Sequence, residues 1–330
     1  MPKPKIAIYW CASCGGCEEA VVDLAEDILG VVEAVDIVFW PVAMDFKKGD
    51  IAALPDGALA ATLLNGAVRT GEQEEMARLL RRKSQCLVAY GACACSGGIP
   101  GLANLFSREQ MLRYVYEEAP TMENGEKTRP QVEFRDDGHT LELPEIRHVV
   151  RALDQVVEVD YYVPGCPPTP KITKAAVEAI LSGNLPPRGS VLAPDFALCA
   201  ECPRRATKPQ DLAFTEFKRP HQTLLDPGRC LLAQGVVCMG PATRAGCEAL
   251  CPAGNMPCSG CFGPTSRVRD QGAKMLSSLC ANIGARDEAS INRVLDGIPD
   301  PVGTFYRYGL PESLLRRRVD LQGPVGAAAP

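Results

Sequence analysis

Cys93 and Cys95 stand in the glycine-rich stretch GACACSGGIPG, and Cys14 and Cys17 form a C-x2-C pair in CASCGGCEEA. Thiols set among small residues can close a disulfide, hold a metal, attack a substrate, or hold a larger group. Composition narrows the choice. The chain has 330 residues with 16 cysteines, but only three histidines, His139, His148 and His221. Disulfide-dense proteins are mostly small and exported. This chain is large, and MPKPKIAIYW runs into a strand-like segment without a signal-peptide core or twin-arginine signal. A cytoplasmic protein is expected, in which such thiol density points to metal or redox chemistry. With so few histidines, thiolates must carry it.

Other chemistries recede. The net charge of −5 argues against a nucleic-acid partner, which would call for a basic face. No apolar run approaches the ~20 residues that span a bilayer. No G-x-G-x-x-G follows a strand, so neither NAD nor flavin is expected on this chain.

The elements that must position the thiols alternate in the first half. KIAIYW (Lys5–Trp10), AVDIVFWPV (34–42), QCLVAYGA (85–92) and VDYYVPG (159–165) read as strands, and ALAATLLNGAV (58–68) contains another, the third in order. Between them, Val21, Leu24, Ala25 and Ile28 fall at helical spacing, and GEQEEMARLLRRKS predicts a helix with a charged outer face. PTPKITKAAVEAIL predicts another, with Thr169 as N-cap and Pro170 at its first position. The expected fold is α/β, a flavodoxin-like doubly wound parallel sheet, interrupted by a surface insertion over 120–144 whose RDDGHT suggests a hairpin. LSGNLPPRGSVLAP (181–194) reads as a linker to an irregular cysteine-rich domain, giving domains 1–185 and 186–330. The closing LLRRRVDLQGPVGAAAP reads as a short basic helix or simply a solvated tail.

In such sheets ligands collect beyond the carboxyl ends of the strands. Cys14 and Cys17 follow the first strand, Cys93 the fourth, and Cys166 (in VPGCPPTP) the fifth. Four thiolates suit either zinc or an iron–sulfur cluster. The flanking glycines let the backbone approach closely and aim N–H groups at a sulfur-rich anion, which favours a cluster. The second half adds Cys199, Cys202, Cys230, Cys238, Cys247, Cys251, Cys258, Cys261 and Cys280. Its C-x2-C pairs, CAEC and CSGC, are separated by far more than the ~15–20 residues of a zinc ribbon. Nine thiols allow two further four-cysteine sites with one left over.

Together, the C-x2-C after the first strand, GACACSGGIPGLANLF, ALDQVVEVDYYVPGCPPTP and CLLAQGVVCMGPATRAGCEALCP…PCSGC resemble the small subunit of [NiFe] hydrogenases. The cytoplasmic methyl-viologen-reducing, F420-non-reducing type is the nearest in pattern. The resemblance implies an electron-transfer subunit with three [4Fe–4S] clusters beside a large subunit that holds the nickel–iron site. By position it implies a proximal cluster on Cys14, Cys17, Cys93 and Cys166. A distal cluster falls to Cys199, Cys202, Cys230 and Cys238, and a medial one to Cys247, Cys251, Cys258 and Cys261. It further implies transfer through an iron–sulfur adaptor to a heterodisulfide-reductase-like complex. Many hydrogenases have histidine where this chain has Cys199, and a Glu-Gly pair where it has Asn65-Gly66.

Other residues have plainer readings. Cys95 is expected as a packed thiol, Cys86 as a core residue and His221 as a lone exposed histidine. Cys11 and Cys280 have no assigned role. Glu18 and Glu19 could relay protons or be exposed carboxylates at a helix start, and Asp45 could approach the proximal cluster. Two rival functions remain open. One is the small subunit of a complex I-like oxidoreductase, whose family carries adjacent cysteines in the first loop and lacks the long cysteine-rich domain. The other is a zinc-stabilised assembly protein.

Overall fold

The short apolar runs of the first half form parallel strands whose side chains are covered on both faces. The computed structural model describes residues 2–315. Its strands are β1 (Lys5–Trp10), β2 (Asp36–Phe39), β3 (Ala61–Asn65), β4 (Val68–Thr70), β5 (Leu87–Tyr90), β6 (Glu133–Asp136), β7 (His139–Glu142), β8 (Ile146–Arg151), β9 (Tyr161–Val163) and β10 (Ser190–Val191). Six of them make one parallel sheet in the order β10-β9-β5-β3-β1-β2. The order reverses beside β1, which is the flavodoxin-like arrangement expected. Strand β3 is buried along its whole length, with Leu63 registered between Ile8 and Val88.

Helices α1 (Gly16–Val22), α2 (Asp27–Ala34), α3 (Lys48–Ala52), α4 (Gly71–Lys83), α5 (Ala92–Ser96), α6 (Arg108–Arg113) and α7 (Pro170–Ser182) belong to this half. One sheet face packs Leu59, Leu64 and Leu87 against Met76 and Leu80 of α4. The other packs Ile8, Leu63 and Val88 against Ile172 and Ala176 of α7. Local chemistry starts both helices. The Thr70 hydroxyl accepts from Gln73 N, and the Gln73 side chain accepts from Thr70 N, a reciprocal cap. At α7 the Thr169 hydroxyl accepts from Ile172 N, and Pro170 takes the first position.

Two expectations are corrected. The single helix expected through residues 21–28 is two, because Ala25 turns at φ 50° and Leu24 enters the core from the turn. The third strand lies within 58–68 as expected and ends at Asn65, because Gly66 turns at φ 85° against the Cys11 carbonyl carbon, 2.7 Å from where a Cβ would stand. Val68 then joins β4, which pairs antiparallel with β8 outside the main sheet. The segment 181–194, expected as a linker, carries the edge strand β10, so the sheet runs to Val191 and past residue 185. The insertion does form the β6–β7 hairpin, turning at Asp137 and Gly138.

Past β10, short helices α8 (Leu250–Ala253), α9 (Gln271–Cys280), α10 (Glu288–Leu295) and α11 (Pro301–Phe305) stand among turns. They surround a separate core that includes Leu198, Phe214, Phe217, Val236, Met275 and Phe305. Cys238 and Cys258 are themselves members of that core. Among the described residues no helix is long and apolar enough to cross a membrane. The tail expected as a basic helix lies outside the described residues beyond Leu315.

Candidate metal centre

Backbone bonds draw the loops after β1, β3, β5 and β9 together at one sheet edge. Cys11 N donates to Asn65 O at 2.8 Å, Gly91 N to Val163 O at 2.8 Å, and Ala92 N to Gly165 O at 2.6 Å. The last of these sets the Cys93 loop against the Cys166 loop. Glycines allow the approach. A Cβ on Gly91, at φ 88°, would stand 2.3 Å from the Cys17 sulfur, and one on Gly98, at φ 55°, 2.4 Å from the Cys93 sulfur. A Cβ on Gly16 would lie 3.5 Å from the Cys14 sulfur and 3.9 Å from Pro167 Cβ. Cys14, Cys17, Cys93 and Cys166 are therefore neighbours at this edge. Burial pushes the Cys17 thiol up, and the neighbouring Cys93, Cys166 and Cys14 add to it. Cys93 is pushed up to about 12 by burial and then by Cys166 and Cys14, while the Ile99 N–H works in the opposite direction.

The second half gathers its thiols likewise. A Cβ on Gly240 would lie 3.3 Å from the Cys199 sulfur and 3.7 Å from that of Cys238. Burial pushes Cys199 up to about 11, with Cys238, Cys202 and Cys230 adding to the rise and Lys208 opposing it. Cys199, Cys202, Cys230 and Cys238 thus form a second neighbourhood. Cys261 is raised to about 12 by burial, and Cys247 and Cys251 are among its neighbours. Cys258 is raised well above the usual thiol range by burial, with Cys238 and Cys261 nearby.

Backbone N–H groups point at many of these sulfurs. Those of Gly240 and Cys258 reach Cys238, those of Ala249 and Leu250 reach Cys247, and that of Gly260 reaches Cys258. One such contact joins two neighbourhoods: Cys258 N donates to the Cys238 sulfur at 3.3 Å. Cys166 lies among the groups around Cys261. Burial thus raises Cys17, Cys93, Cys166, Cys199, Cys238, Cys247, Cys258 and Cys261, whose thiolates are stable only opposite a cationic group, and N–H donors are aimed at several of them. That fits iron–sulfur ligation. Among the described residues no three His, Cys, Asp or Glu side chains are close enough to hold a single metal ion.

The bystanders separate from the ligand candidates. The Cys95 thiol, on α5, donates to Ala89 O at 3.4 Å and Val163 O at 3.5 Å, carbonyls of β5 and β9. Cys86 is half-buried, Cys11 is buried, and Cys280, His221 and Asp45 are exposed. Glu19 is exposed as expected, but Glu18 is not: it is 5% exposed, and its carboxylate accepts from Trp40 Nε1 and, at 2.7 Å, from Asn65 Nδ2. Glu18 lies three residues before the buried Val21, on the inward face of α1, a periodicity signal that flags its burial. Burial pushes its carboxyl up, against the pull of the Asn65 and Trp40 hydrogen bonds.

Relatives decide the family. Residues 14–180 match the family described as NADH ubiquinone oxidoreductase, 20 Kd subunit. The iron–sulfur subunit of the F420-non-reducing hydrogenase of Archaeoglobus profundus is 38% identical over 318 residues, 96% of this chain and 98% of that protein. An F420-non-reducing hydrogenase subunit of the same type, from Methanothermobacter thermautotrophicus, is 35% identical over 97% of this chain and 99% of its own length. The chain belongs to the family of F420-non-reducing hydrogenase small subunits. Such a small subunit pairs with a large subunit, on which the active site lies. The small-subunit fold also matches the H2-activated [NiFeSe] hydrogenase of Dm. baculatum, with a TM-score of 0.50 at 19% identity over 80% of this chain and 95% of that one.

Proposed function

We propose that this chain is the electron-conducting small subunit of a cytoplasmic F420-non-reducing [NiFe] hydrogenase, with three [4Fe–4S] clusters. Cys14, Cys17, Cys93 and Cys166 would hold the proximal cluster. Cys247, Cys251, Cys258 and Cys261 would hold the medial one, and Cys199, Cys202, Cys230 and Cys238 the distal one. Bound, such clusters pass single electrons between the large subunit's active site and an acceptor. The observation that carries the reading is that the three neighbourhoods adjoin: Cys258 N donates to the Cys238 sulfur at 3.3 Å, and Cys166 lies among the groups around Cys261. The protein's own contribution is to exclude water from Cys17, Cys93, Cys238 and Cys258, which are buried, and to stabilise thiolate charge with backbone N–H groups.

The proximal neighbourhood lies at the strand-end edge, where Cys14 is exposed, and a large subunit docked there would cover it. On this reading residues 1–185 carry the proximal site and 186–330 the other two. The acceptor side is then an iron–sulfur adaptor leading to a heterodisulfide-reductase-type complex. Iron and acid-labile sulfide counted on the anaerobic complex test the assignment. About twelve of each per chain are expected from three four-iron clusters, beyond any on other subunits. About four irons with stoichiometric zinc would overturn the assignment of the second half and favour a zinc-stabilised role for it.

A further inference from the structure

Arg204 is buried, only 3% exposed, two residues past Cys202. A guanidinium stays charged inside a protein, and a buried charge without a counter-charge is strongly unfavourable. Its protein partners are all neutral. Nη1 donates to Asp226 O and Arg229 O, both at 3.2 Å, and Nη2 donates to Asn255 Oδ1 at 2.9 Å. Nε is buried without an acceptor. Among the described residues it makes no ion pair with a carboxylate. The contrast within the same half is Arg244, also buried, which pairs with Asp195 at 2.9 Å.

The acceptors locate the charge. Arg229 O belongs to the peptide that leads into Cys230, and Cys230 N donates to Thr207 Oγ1, whose hydroxyl in turn donates to Arg204 O. Asn255 lies in the loop between Cys251 and Cys258. The side chain thus joins the turn after Cys202 to the peptide that leads into Cys230, and its other nitrogen reaches the loop between Cys251 and Cys258. We propose that Arg204 is the built-in counter-cation of the Cys199, Cys202, Cys230 and Cys238 site, raising the reduction potential of an anionic group bound there. The inference rests on the assignment of a cluster to those four thiols. Arg204 touches no reacting atom; it is a positioning residue that acts through charge. A fixed positive charge stabilises the more negative, reduced state of such a group, so its removal moves the potential down.

The test is an EPR-monitored redox titration of the complete hydrogenase carrying Arg204→Gln or Arg204→Lys, with iron counted on the same samples. The glutamine variant should shift one cluster to lower potential with the others unmoved, and the lysine variant should stay near the parent. Full iron with unchanged potentials in Arg204→Gln overturns the counter-cation while leaving the cluster assignment intact. Equal shifts, or equal iron loss, in both variants also overturn it, because then the planar fork rather than the charge matters. A parent complex without a cluster in the second half overturns the assignment itself.

Discussion

Gly91→Ala tests how tightly the first neighbourhood is built. The added methyl would stand 2.3 Å from the Cys17 sulfur and 3.5 Å from Gly165 O. Non-bonded heavy atoms settle near 3.5–4.0 Å, so sulfur or backbone must give way by roughly 1.2 Å or more. Metal sites tolerate ligand displacements of about 0.2 Å, so the shift exceeds the tolerance several-fold. Gly91 also sits at φ 88°, ψ 160°, a region almost confined to glycine, which adds about 1–3 kcal/mol of backbone strain. Gly57→Ala separates the two effects: Gly57 has φ 72° but nothing within 4 Å of the new methyl, so it carries strain alone. Iron and sulfide per chain, with hydrogen-dependent dye reduction, form the assay. Gly91→Ala should lose about four irons and most activity, whereas Gly57→Ala should keep both. Retention of the parental iron content by Gly91→Ala would refute the placement of Cys17 at a cluster.

Two further outcomes follow from side-chain environments. Cys93→Ser should abolish hydrogen-dependent dye reduction while Cys95→Ser keeps much of it, since the Cys95 thiol only donates to Ala89 O and Val163 O; the reverse pattern would exchange their roles. Asp160→Ala should lower the unfolding temperature in anaerobic calorimetry. Asp160 is 1% exposed, and its Oδ2 accepts from Leu87 N at 2.7 Å and Arg81 Nη1 at 2.6 Å, with Arg188 within ion-pair distance of Oδ1 but not aligned as a hydrogen bond. Both arginines can rehydrate, so the cost is about 1–3 kcal/mol, mainly for the stranded Leu87 N–H; an unchanged transition would contradict that account.

What the sequence revealed follows from which interactions are local. The main strands announce themselves as apolar runs because both sheet faces are covered, and α7 is signalled by Thr169 and Pro170, whose effects span one helical turn. The C-x2-C spacing after β1 likewise reflects a local loop. What escaped depends on distant partners. The periodicity of α1 flags the burial of Glu18, but not its partners: Trp40 follows β2 and Asn65 ends β3. Strand β10 is two residues long in a Pro- and Gly-rich segment, and only its pairing with Tyr161 and Tyr162 makes it a strand. The second half offers little periodicity because its core is assembled from turns, with the Phe214 and Phe217 rings 5.0 Å apart and cysteines among the packed residues.

A glycine loop alone is too mobile to hold a sulfur within about 0.2 Å, and the Cys93 loop is indeed held from the far end of the described chain. Gly98 N donates to Tyr308 O at 3.0 Å, and Ser96 Oγ donates to the same oxygen at 2.7 Å. Pro311 lies over Gly97 and Gly101, where added Cβ atoms would come within 2.3 and 2.5 Å of its ring. Gln155 Nε2, from the turn after β8, donates to Pro311 O at 2.9 Å. The Tyr308 hydroxyl meanwhile bonds to Ser259 Oγ at 3.2 Å, between Cys258 and Cys261. One short segment thus braces a thiol loop in each half, and the spacing of those two loops depends on it. A local change at Tyr308 would therefore reach both thiol loops at once, although the residue carries no thiol.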